Sequence, residues 1–280
     1  MSKVIQIDIS QVLRERLPRH ARFVPRFVVR WLERLICQDE INSLLRKIDD
    51  RRDVEAARCV LDELGIKLDV HGIGNLPTEE HRCIFVSNHP LGGLDGLALI
   101  ALIGQKYNGR IRFMVNDLLM AITPLQGIFL PVNKYGRQSR AAATEIEQQY
   151  GSDNQMLTFP AGLCSRRMPD GTIADLKWQK FFVTHAIEYQ RDVVPIYFDA
   201  RNSSSFYRIA HWRKRLGIKF NFERILLPRE LFKKKEATIS LHIGQPLPYS
   251  SLDGSRAVQQ AAIVRQAVYQ LASQHPQPSH

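Results

Sequence analysis

The 280-residue chain is poor in cysteine, and its cysteines are too widely spaced to form a metal-binding pair. The four residues are Cys37, Cys59, Cys83 and Cys164, and none belongs to a C-x-x-C motif. Neither a zinc site nor a disulfide framework is therefore predicted. Reduced thiols in the cytosol are the simpler interpretation, and we expect no bound metal.

The sequence also lacks a long hydrophobic run. The nearest candidate, Leu118 to Val132, is interrupted by a Thr-Pro pair, a glutamine and a glycine. It therefore falls short of the roughly 18 to 20 apolar residues that a membrane-crossing helix needs. The first residues are polar and show no charged start followed by an apolar core, which argues against a secretory signal. We expect a cytoplasmic protein whose membrane contact is peripheral, on the inner face of the cell membrane.

Acidic residues are outnumbered by basic ones. The chain has 39 Lys and Arg against 28 Asp and Glu, which gives a formal net charge of +11. This imbalance favours a polyanionic partner and leaves nucleic acid, an anionic membrane and a phosphorylated ligand open. The basic residues are dense between Arg201 and Lys235, where interleaved aromatic residues suit either base stacking or a lipid interface. A solvated basic face is the alternative there.

Apolar residues up to about Lys67 recur at helical spacing, which predicts an N-terminal helical, basic amphipathic segment over residues 1–67. Within Arg22 to Ile36, an apolar stripe runs beside an arginine stripe, both at four-residue spacing. The stripes are Phe23, Phe27, Trp31 and Leu35, and Arg22, Arg26, Arg30 and Arg34. A basic helix carrying Trp and Phe suits a peripheral membrane anchor. Packing of the aromatic stripe on the main domain, with solvated arginines, is the alternative.

From residue 68 the pattern changes to short β-branched runs separated by helical stretches, such as Arg140–Tyr150 and Leu176–Tyr189. The predicted strands are Leu68–Ile73, Cys83–Ser87, Ile111–Val115, Ile128–Val132, Met156–Phe159, Val193–Phe198 and Ile239–Ile243. We predict an α/β domain over residues 68–250, with a mixed, largely buried β-sheet flanked by helices. Residues 251–280 are expected to form a C-terminal helix, from about Ser255 to Ser273, and a disordered tail.

The segment Ser87 to Gly96 reads S-N-H-P-L-G-G-L-D-G. His89 follows a predicted strand and precedes a turn containing Asn88, Gly92 and Gly93, where a side chain is held by the scaffold yet exposed to a ligand. Asp95 is suited to fix one ring nitrogen of His89, which leaves the other as a general base. No Ser or Cys nucleophile is evident beside it, so direct attack by a substrate hydroxyl is favoured over a covalent intermediate. A structural histidine is the alternative.

A second segment places a Pro/Gly turn and adjacent arginines after a predicted strand. It contains the turn residues Phe159, Pro160, Ala161, Gly162 and Leu163, followed by Ser165, Arg166 and Arg167. Backbone amides at Ala161, Gly162 and Leu163 are candidates for an oxyanion hole. The arginines, with Ser165, are candidates for holding a phosphate or carboxylate. An ordinary exposed turn with surface arginines is the alternative.

These two segments resemble the first and third motifs of the glycerolipid acyltransferase family, which includes bacterial lysophosphatidic acid acyltransferases. Gly127 to Asn133 and Val194 to Ile196 resemble the second and fourth motifs, and all four occur in the family's order. The resemblance implies that His89 is the catalytic base and Asp95 its orienting partner. It also implies that Phe159-Pro160 and Gly162 form the third-motif scaffold, and that Pro195 belongs to an acyl or acceptor pocket.

The motifs also depart from the family pattern. Five residues separate His89 from Asp95, where the family usually has four, so a bulge at Gly92-Gly93 is expected. The third motif has Ala161 in place of its acidic residue and Cys164 at its arginine position. Asn133 or Lys134 occupies the position where the family's second motif has an arginine. A differently placed anion would then be held by the residues Asn133, Lys134, Arg137, Ser165, Arg166 and Arg167.

The altered motifs resemble the branch that acylates lyso-aminolipids, such as ornithine or glycine lipids, and haemolysin-related sequences. The resemblance implies transfer of an acyl group from acyl-CoA or acyl carrier protein to a lysolipid hydroxyl at an anionic membrane surface, without a bound cofactor. No nucleic-acid partner is expected. Three alternatives stay open: a lysophosphatidic acid acyltransferase, a basic nucleic-acid-binding protein and an inactive membrane-interaction module.

Overall fold

The computed structural model describes residues 6–16, 24–48, 50–132, 139–218 and 222–274. Within these ranges, four helices precede the first strand: α1 (Ile9–Arg16), α2 (Arg26–Leu35), α3 (Gln38–Ile48) and α4 (Asp53–Glu63). The described part of α2 begins at Arg26, after an extended Pro25 at its N-cap, whereas the sequence predicted a helix from Arg22. A proline disfavours helical geometry at the residue before it; residues 17–23 lie outside the described part.

Strands and helices alternate after residue 67, as predicted. In chain order they are β1 (Lys67–His71), β2 (Cys83–Ser87), α5 (Gly93–Lys106), β3 (Ile111–Asn116), β4 (Phe129–Val132), α6 (Arg140–Gly151), β5 (Gln155–Thr158), β6 (Arg166–Arg167), β7 (Ile173–Ala174), α7 (Phe181–Glu188), β8 (Asp192–Asp199), α8 (Ser204–Arg215), α9 (Leu227–Phe232), β9 (Thr238–Ile243) and α10 (Ala257–Gln274). None of the helices in the described ranges is long and apolar enough to cross a membrane.

Within the described residues, seven strands form one sheet in the order β1-β9-β8-β2-β5-β3-β4. The five strands from β8 to β4 are mutually parallel. β9 runs antiparallel to β8 and parallel to β1, so the sheet is mixed and the predicted α/β class is confirmed. β6 and β7 pair as a separate antiparallel hairpin. The sequence analysis missed this hairpin, because strands of two residues are too short to show an alternating pattern.

Both faces of the sheet are covered by helices. All five residues of β2 are buried, as expected of a strand inside a parallel sheet. Successive side chains alternate between the faces: Phe85 packs in the core cluster that includes Leu99 of α5, and Ile84 and Val86 pack in the cluster that includes Phe182 of α7. The continuous apolar run of β2 thus anchors the centre of the fold.

Helices that precede the first strand and follow the last strand also pack onto this sheet. Leu61 of α4 lies in the same core cluster as Leu99, and Val264 and Val268 of α10 lie in the cluster under the opposite face. α4 and α10 therefore pack together with the strands, although the sequence analysis assigned them to segments outside residues 68–250. That division into domains stays a prediction. The predicted disordered tail, after residue 274, lies outside the described residues.

One helix begins later than predicted. The pattern from Leu176 indicated a helix, but α7 begins at Phe181. The residues before it make side-chain and long-range bonds instead: the indole Nε1 of Trp178 donates to Asp175 at 2.9 Å, and the N–H of Gln179 donates to the carbonyl of Pro160 at 2.9 Å. These bonds hold the segment against the turn that follows β5, which is where the candidate site lies.

Candidate active site

His89 leaves the sheet directly after β2, beside the end of β5. The two strands are adjacent and parallel, with Val86 opposite Thr158. This register brings His89 against Phe159, and the two rings stack with centroids 3.9 Å apart and an interplanar angle of 22°. His89 keeps part of its side chain exposed. The scaffold therefore holds the imidazole while leaving it within reach of a ligand.

Asp95 faces His89 from the first turn of α5. Its Oδ1 lies 3.1 Å from Nδ1 of His89, and its side chain is fully buried. Its Oδ2 accepts the backbone N–H of Leu91 at 2.9 Å and of Gly92 at 3.3 Å. These bonds fix the carboxyl group of Asp95 in place beside the ring of His89. Nε2 of His89 is the nitrogen on the opposite side of the ring from this contact.

The extra residue between His89 and Asp95 is accommodated at Gly92. Gly92 has φ 84° and ψ −111°, a region that only glycine adopts readily. A Cβ at this position would also lie 2.9 Å from Cδ2 of Leu227 and 3.2 Å from Sγ of Cys164. Gly93 has open space at the equivalent point. The expected bulge therefore lies at Gly92 alone.

Opposing effects act on the pKa of His89. Burial favours the neutral imidazole and lowers its pKa, but the Asp95 carboxylate and the nearby Cys164 side chain outweigh burial. The pKa of His89 is consequently raised well above its usual value. The ring is therefore protonated over a wider pH range than an ordinary histidine, and its basic form becomes available as the pH rises.

A second buried carboxylate, Asp175, holds the backbone of His89. Its Oδ1 accepts the N–H of His89 at 3.2 Å and the hydroxyl of Ser165 at 2.6 Å. Its Oδ2 accepts Nε1 of Trp178 at 2.9 Å. Burial raises the pKa of Asp175, and these hydrogen bonds oppose the rise. The sequence analysis did not single out this residue, because 86 positions separate it from His89.

Asp175 is itself held by the C-terminal helix. Its backbone N–H donates to the hydroxyl of Tyr269 at 2.8 Å, and Nη2 of Arg265 donates to its carbonyl at 2.8 Å. Both partners belong to α10. The last helix of the chain thus supports a residue that contacts His89.

Ser165 links the two predicted segments. Besides its bond to Asp175, its backbone N–H donates to the carbonyl of His89 at 2.8 Å. Its side chain is buried, so in this structure Ser165 serves the internal network, whereas we expected it to hold an acceptor.

Asn88, predicted as a turn residue, fastens the turn to β8. Its Nδ2 donates to the carbonyl of Phe198 at 3.0 Å, and its Oδ1 accepts the N–H of the same residue at 2.7 Å. Asn202 adds a bond from its Nδ2 to the carbonyl of Pro90 at 3.0 Å. The sequence analysis missed Asn202. Because both asparagines are buried, the backbone on either side of His89 is fixed.

The predicted scaffold residues form a tight turn from Phe159 to Gly162. The N–H of Gly162 donates to the carbonyl of Phe159 at 2.9 Å, and Gly162 has φ 63°. In the structure this amide donates within its own turn, so its expected service to an oxyanion stays a prediction. The amides of Ala161 and Leu163 have no acceptor among the described residues. They remain the candidate donors.

The two arginines of the second segment differ in surroundings. Nη2 of Arg166 lies 3.2 Å from Oε1 of Glu223, and Nε of Arg213 lies 2.9 Å from Oε2 of the same buried carboxylate. Two guanidinium groups on one carboxylate leave one positive charge in excess. Arg167 is exposed on the hairpin. The other predicted anion-binding residues, Asn133, Lys134 and Arg137, lie outside the described residues.

Pro195, which we expected in an acyl or acceptor pocket, lines a separate cavity of about 360 Å³. His71, His242 and Leu271 share this cavity, and none of the residues around His89 borders it.

Among the described residues, one group also has the composition of a metal site: Glu147, His185 and Glu188, with ligand atoms within 4.8 Å of one another. These residues lie on α6 and α7.

The model of an acyltransferase family, described as "Acyltransferase", matches residues 11–275. The chain belongs to this family. This acyltransferase is 43% identical over 269 residues to a "Lyso-glycine lipid O-acyltransferase" of Phocaeicola vulgatus, a match that covers 96% of each chain. It is 42% identical over 266 residues to a protein of the same description from Bacteroides thetaiotaomicron, which covers 95% of this chain and 97% of that one.

The 1-acyl-sn-glycerophosphate acyltransferase PlsC of Thermotoga maritima aligns with 91% of this chain and 95% of its own, at a TM-score of 0.47 and 16% sequence identity.

Proposed function

We propose that this acyltransferase transfers a fatty acyl group from a thioester of coenzyme A or acyl carrier protein to the hydroxyl of a lysolipid. The preferred acceptor is a lyso-aminolipid, specifically of the glycine type. The names of the relatives that are 43% and 42% identical support this acceptor class. The observation that carries the proposed reaction is the buried Asp95 carboxylate, 3.1 Å from Nδ1 of His89.

In the proposed reaction, Asp95 holds Nδ1 of His89, so that Nε2 accepts the proton of the acceptor hydroxyl. The hydroxyl oxygen attacks the thioester carbonyl carbon, the C–S bond breaks, and His89 returns the proton to the departing thiolate. The amides of Ala161 and Leu163 are the proposed donors to the oxyanion. Each step uses side chains and amides of this chain, without a bound cofactor.

Arg166 is the proposed ligand of the acceptor headgroup. A glycine joined through its nitrogen keeps a free carboxylate, which a guanidinium group binds well. Nη1 of Arg166 is buried and has no hydrogen-bond partner among the described residues. The excess positive charge that Arg166 and Arg213 place around Glu223 favours an anion at this position. A phosphate would suit the same group, so lysophosphatidic acid is the alternative acceptor.

Location at the membrane is proposed from α2. None of its residues is buried, and Phe27 and Trp31 are 73% and 58% exposed. This exposure favours the anchor interpretation over packing of the aromatic stripe on the main domain. With Arg26, Arg30 and Arg34 on the same helix, α2 suits an anionic bilayer surface. Peripheral binding at the cytoplasmic face of the membrane follows from the proposed use of cytosolic acyl donors.

The proposal is tested by assaying purified protein with acyl-CoA or acyl carrier protein and two acceptors, lyso-glycine lipid and lysophosphatidic acid. His89→Ala should reduce transfer by about 10² to 10⁴-fold. His81→Ala is the matched control, because His81 also pairs with an aspartate, Asp192, at 2.8 Å but lies exposed and away from Phe159. Transfer to neither acceptor by the wild type would refute the function, and faster transfer to lysophosphatidic acid would refute the acceptor.

Cys164 allows a test of direct attack. Its side chain lies close enough to His89 to influence its pKa, although the sequence suggested no nucleophile there. Direct attack predicts that Cys164→Ala retains transfer and that the enzyme with donor alone gains no acyl mass. A covalent intermediate would be shown by two results together: intact mass spectrometry detects an acyl adduct on Cys164, and Cys164→Ala loses acyl transfer.

A further inference from the structure

The outer side of α8 exposes large apolar side chains. Trp212 is 57%, Leu216 69% and Ile218 41% exposed. Trp212 and Leu216 are four residues apart, so they project from the same side of the helix and its final turn. The inner side of α8 is different: Phe206 and Ala210 are buried. α8 is thus amphipathic, with its second apolar stripe turned away from the core.

Two arginines flank this outer stripe. Arg208 is exposed one turn before Trp212, and the guanidinium of Arg215 lies 5.7 Å from the centroid of the Trp212 ring. The sequence contains no Asp or Glu from residue 200 to residue 222. An exposed apolar stripe flanked by arginines complements a surface that is both apolar and anionic.

The turn after α8 is held in place. Gly217 has φ 69°, which ends the helix in a left-handed cap, and the N–H of Ile218 donates to the carbonyl of Arg213 at 3.1 Å. Nη1 of Arg213 donates back to the carbonyl of Ile218 at 2.7 Å. Leu216 and Ile218 are therefore presented outward by a braced turn.

We infer that Arg208, Trp212, Arg215, Leu216 and Ile218 form a second lipid-contacting surface, the α8 apex, which inserts into an anionic bilayer. The inference rests on the proposed function only in that the acceptor is a membrane lipid. A nucleic acid fits less well, because leucine and isoleucine offer bases no aromatic face to stack on. Tryptophan and arginine, in contrast, are typical of the membrane–water interface.

The apex is joined to the candidate site by two consecutive ion pairs. Arg213, which braces the turn, pairs with Glu223, and Glu223 pairs with Arg166. Arg166 is the proposed ligand of the acceptor headgroup. Insertion of the apex therefore places the headgroup end of the site next to the lipid from which the acceptor comes.

Tryptophan fluorescence tests this contact in the full chain. The Trp31→Phe variant leaves Trp212 as the exposed tryptophan, since Trp178 is buried. With vesicles of phosphatidylcholine and phosphatidylglycerol, we expect the Trp212 emission to shift to the blue and to be quenched by lipids brominated on their acyl chains. Vesicle binding without any quenching or shift of Trp212 would overturn the inference, because the protein would then bind through another surface.

Paired substitutions test the energetics. Trp212→Ser with Leu216→Ser should weaken vesicle binding by about tenfold or more. Arg208→Gln with Arg215→Gln should weaken it by about thirtyfold at low salt, since each arginine contributes about fivefold near an anionic surface. The matched control is Val258→Ser with Ile263→Ser, two similarly exposed apolar residues on α10. If the control variant loses as much vesicle affinity as the apex variants, the assignment of the α8 apex as a lipid-contacting surface is overturned.

Acyl-transfer assays with two kinds of acceptor distinguish a failure of this inference from a failure of the proposed function. The Trp212/Leu216 variant should lose transfer to an acceptor embedded in vesicles but keep transfer to a water-soluble short-chain acceptor. If the wild type transfers no acyl group while Trp212 still inserts, the function fails and the surface stands. If the wild type binds duplex DNA and not anionic vesicles, the surface is a nucleic-acid site and the inference is wrong.

Discussion

Replacing Asp175 by asparagine is the sharpest test of the network around His89. The remaining oxygen of the amide can still accept the N–H of His89 and the hydroxyl of Ser165, which share Oδ1. The new amide nitrogen, however, faces Nε1 of Trp178, which donates to Oδ2. Two buried donors then oppose each other, at a cost of about 1 to 3 kcal/mol. For a chain of this size, Tm should fall by roughly 2 to 12 °C.

The same substitution should change catalysis. Removing a negative charge beside His89 lowers the pKa of the imidazole, because the protonated form loses a stabilising neighbour. Since the neutral ring is the base, the rising limb of kcat/KM should move to lower pH. The assay is a pH profile of acyl transfer together with a thermal melt.

Trp178→Phe combined with Asp175→Asn provides the discriminating control. Phenylalanine removes the indole donor, so the double variant should regain most of the lost stability while its pH profile stays shifted. If Asp175→Asn alters neither Tm nor the pH profile, the reasoning is refuted. Full recovery of the pH profile in the double variant would also contradict it.

Three further results are expected. In the wild type, kcat/KM should rise with pH through a midpoint above the usual histidine pKa, because the pKa of His89 is raised. Asp95→Asn should move that midpoint to lower pH. Both midpoints are measured by pH-rate profiles. Gly92→Ala should lower the free energy of unfolding in urea by about 1 to 3 kcal/mol, because alanine is strained in this backbone conformation. Adding Leu227→Ala removes the side chain closest to the new Cβ. The double variant should regain only part of the lost stability, because the backbone strain remains. Glu223→Gln should cost about 3 kcal/mol in the same assay, because it removes the buried carboxylate that pairs with both Arg166 and Arg213. An unchanged midpoint would show that the cluster is hydrated.

The sheet was predictable because its strands are short apolar runs bounded by polar turns. Cys83–Ser87 is an example: the observed β2 has the predicted bounds. The start of α7 was not predictable, because the apolar spacing from Leu176 is helical, whereas Trp178 and Gln179 make bonds to distant residues. Tertiary hydrogen bonds overrode local periodicity there.

The candidate site likewise contains contacts that could be predicted from the sequence and contacts that could not. His89 and Asp95 are close in sequence, so their contact followed from a strand, a glycine turn and a helix start. Asp175 and Glu223 are far from the motif, and single charged residues give no sign of which distant side chain they meet. The turn bond of the Gly162 amide was not predictable for a related reason. Whether an N–H faces a ligand or closes its own turn depends on dihedral angles that the residue type alone does not fix.

The bonds from Tyr269 and Arg265 to Asp175 have a consequence for biosynthesis. A chain emerging from the ribosome contains His89, Asp95 and Asp175 before α10, so the support of Asp175 is completed only once the chain has grown by a further 94 residues, to Tyr269. The site thus matures later than its motifs are made. A stop codon before residue 265 would yield a chain that has every residue of the proposed catalytic pair and turn but lacks the clamp that holds Asp175.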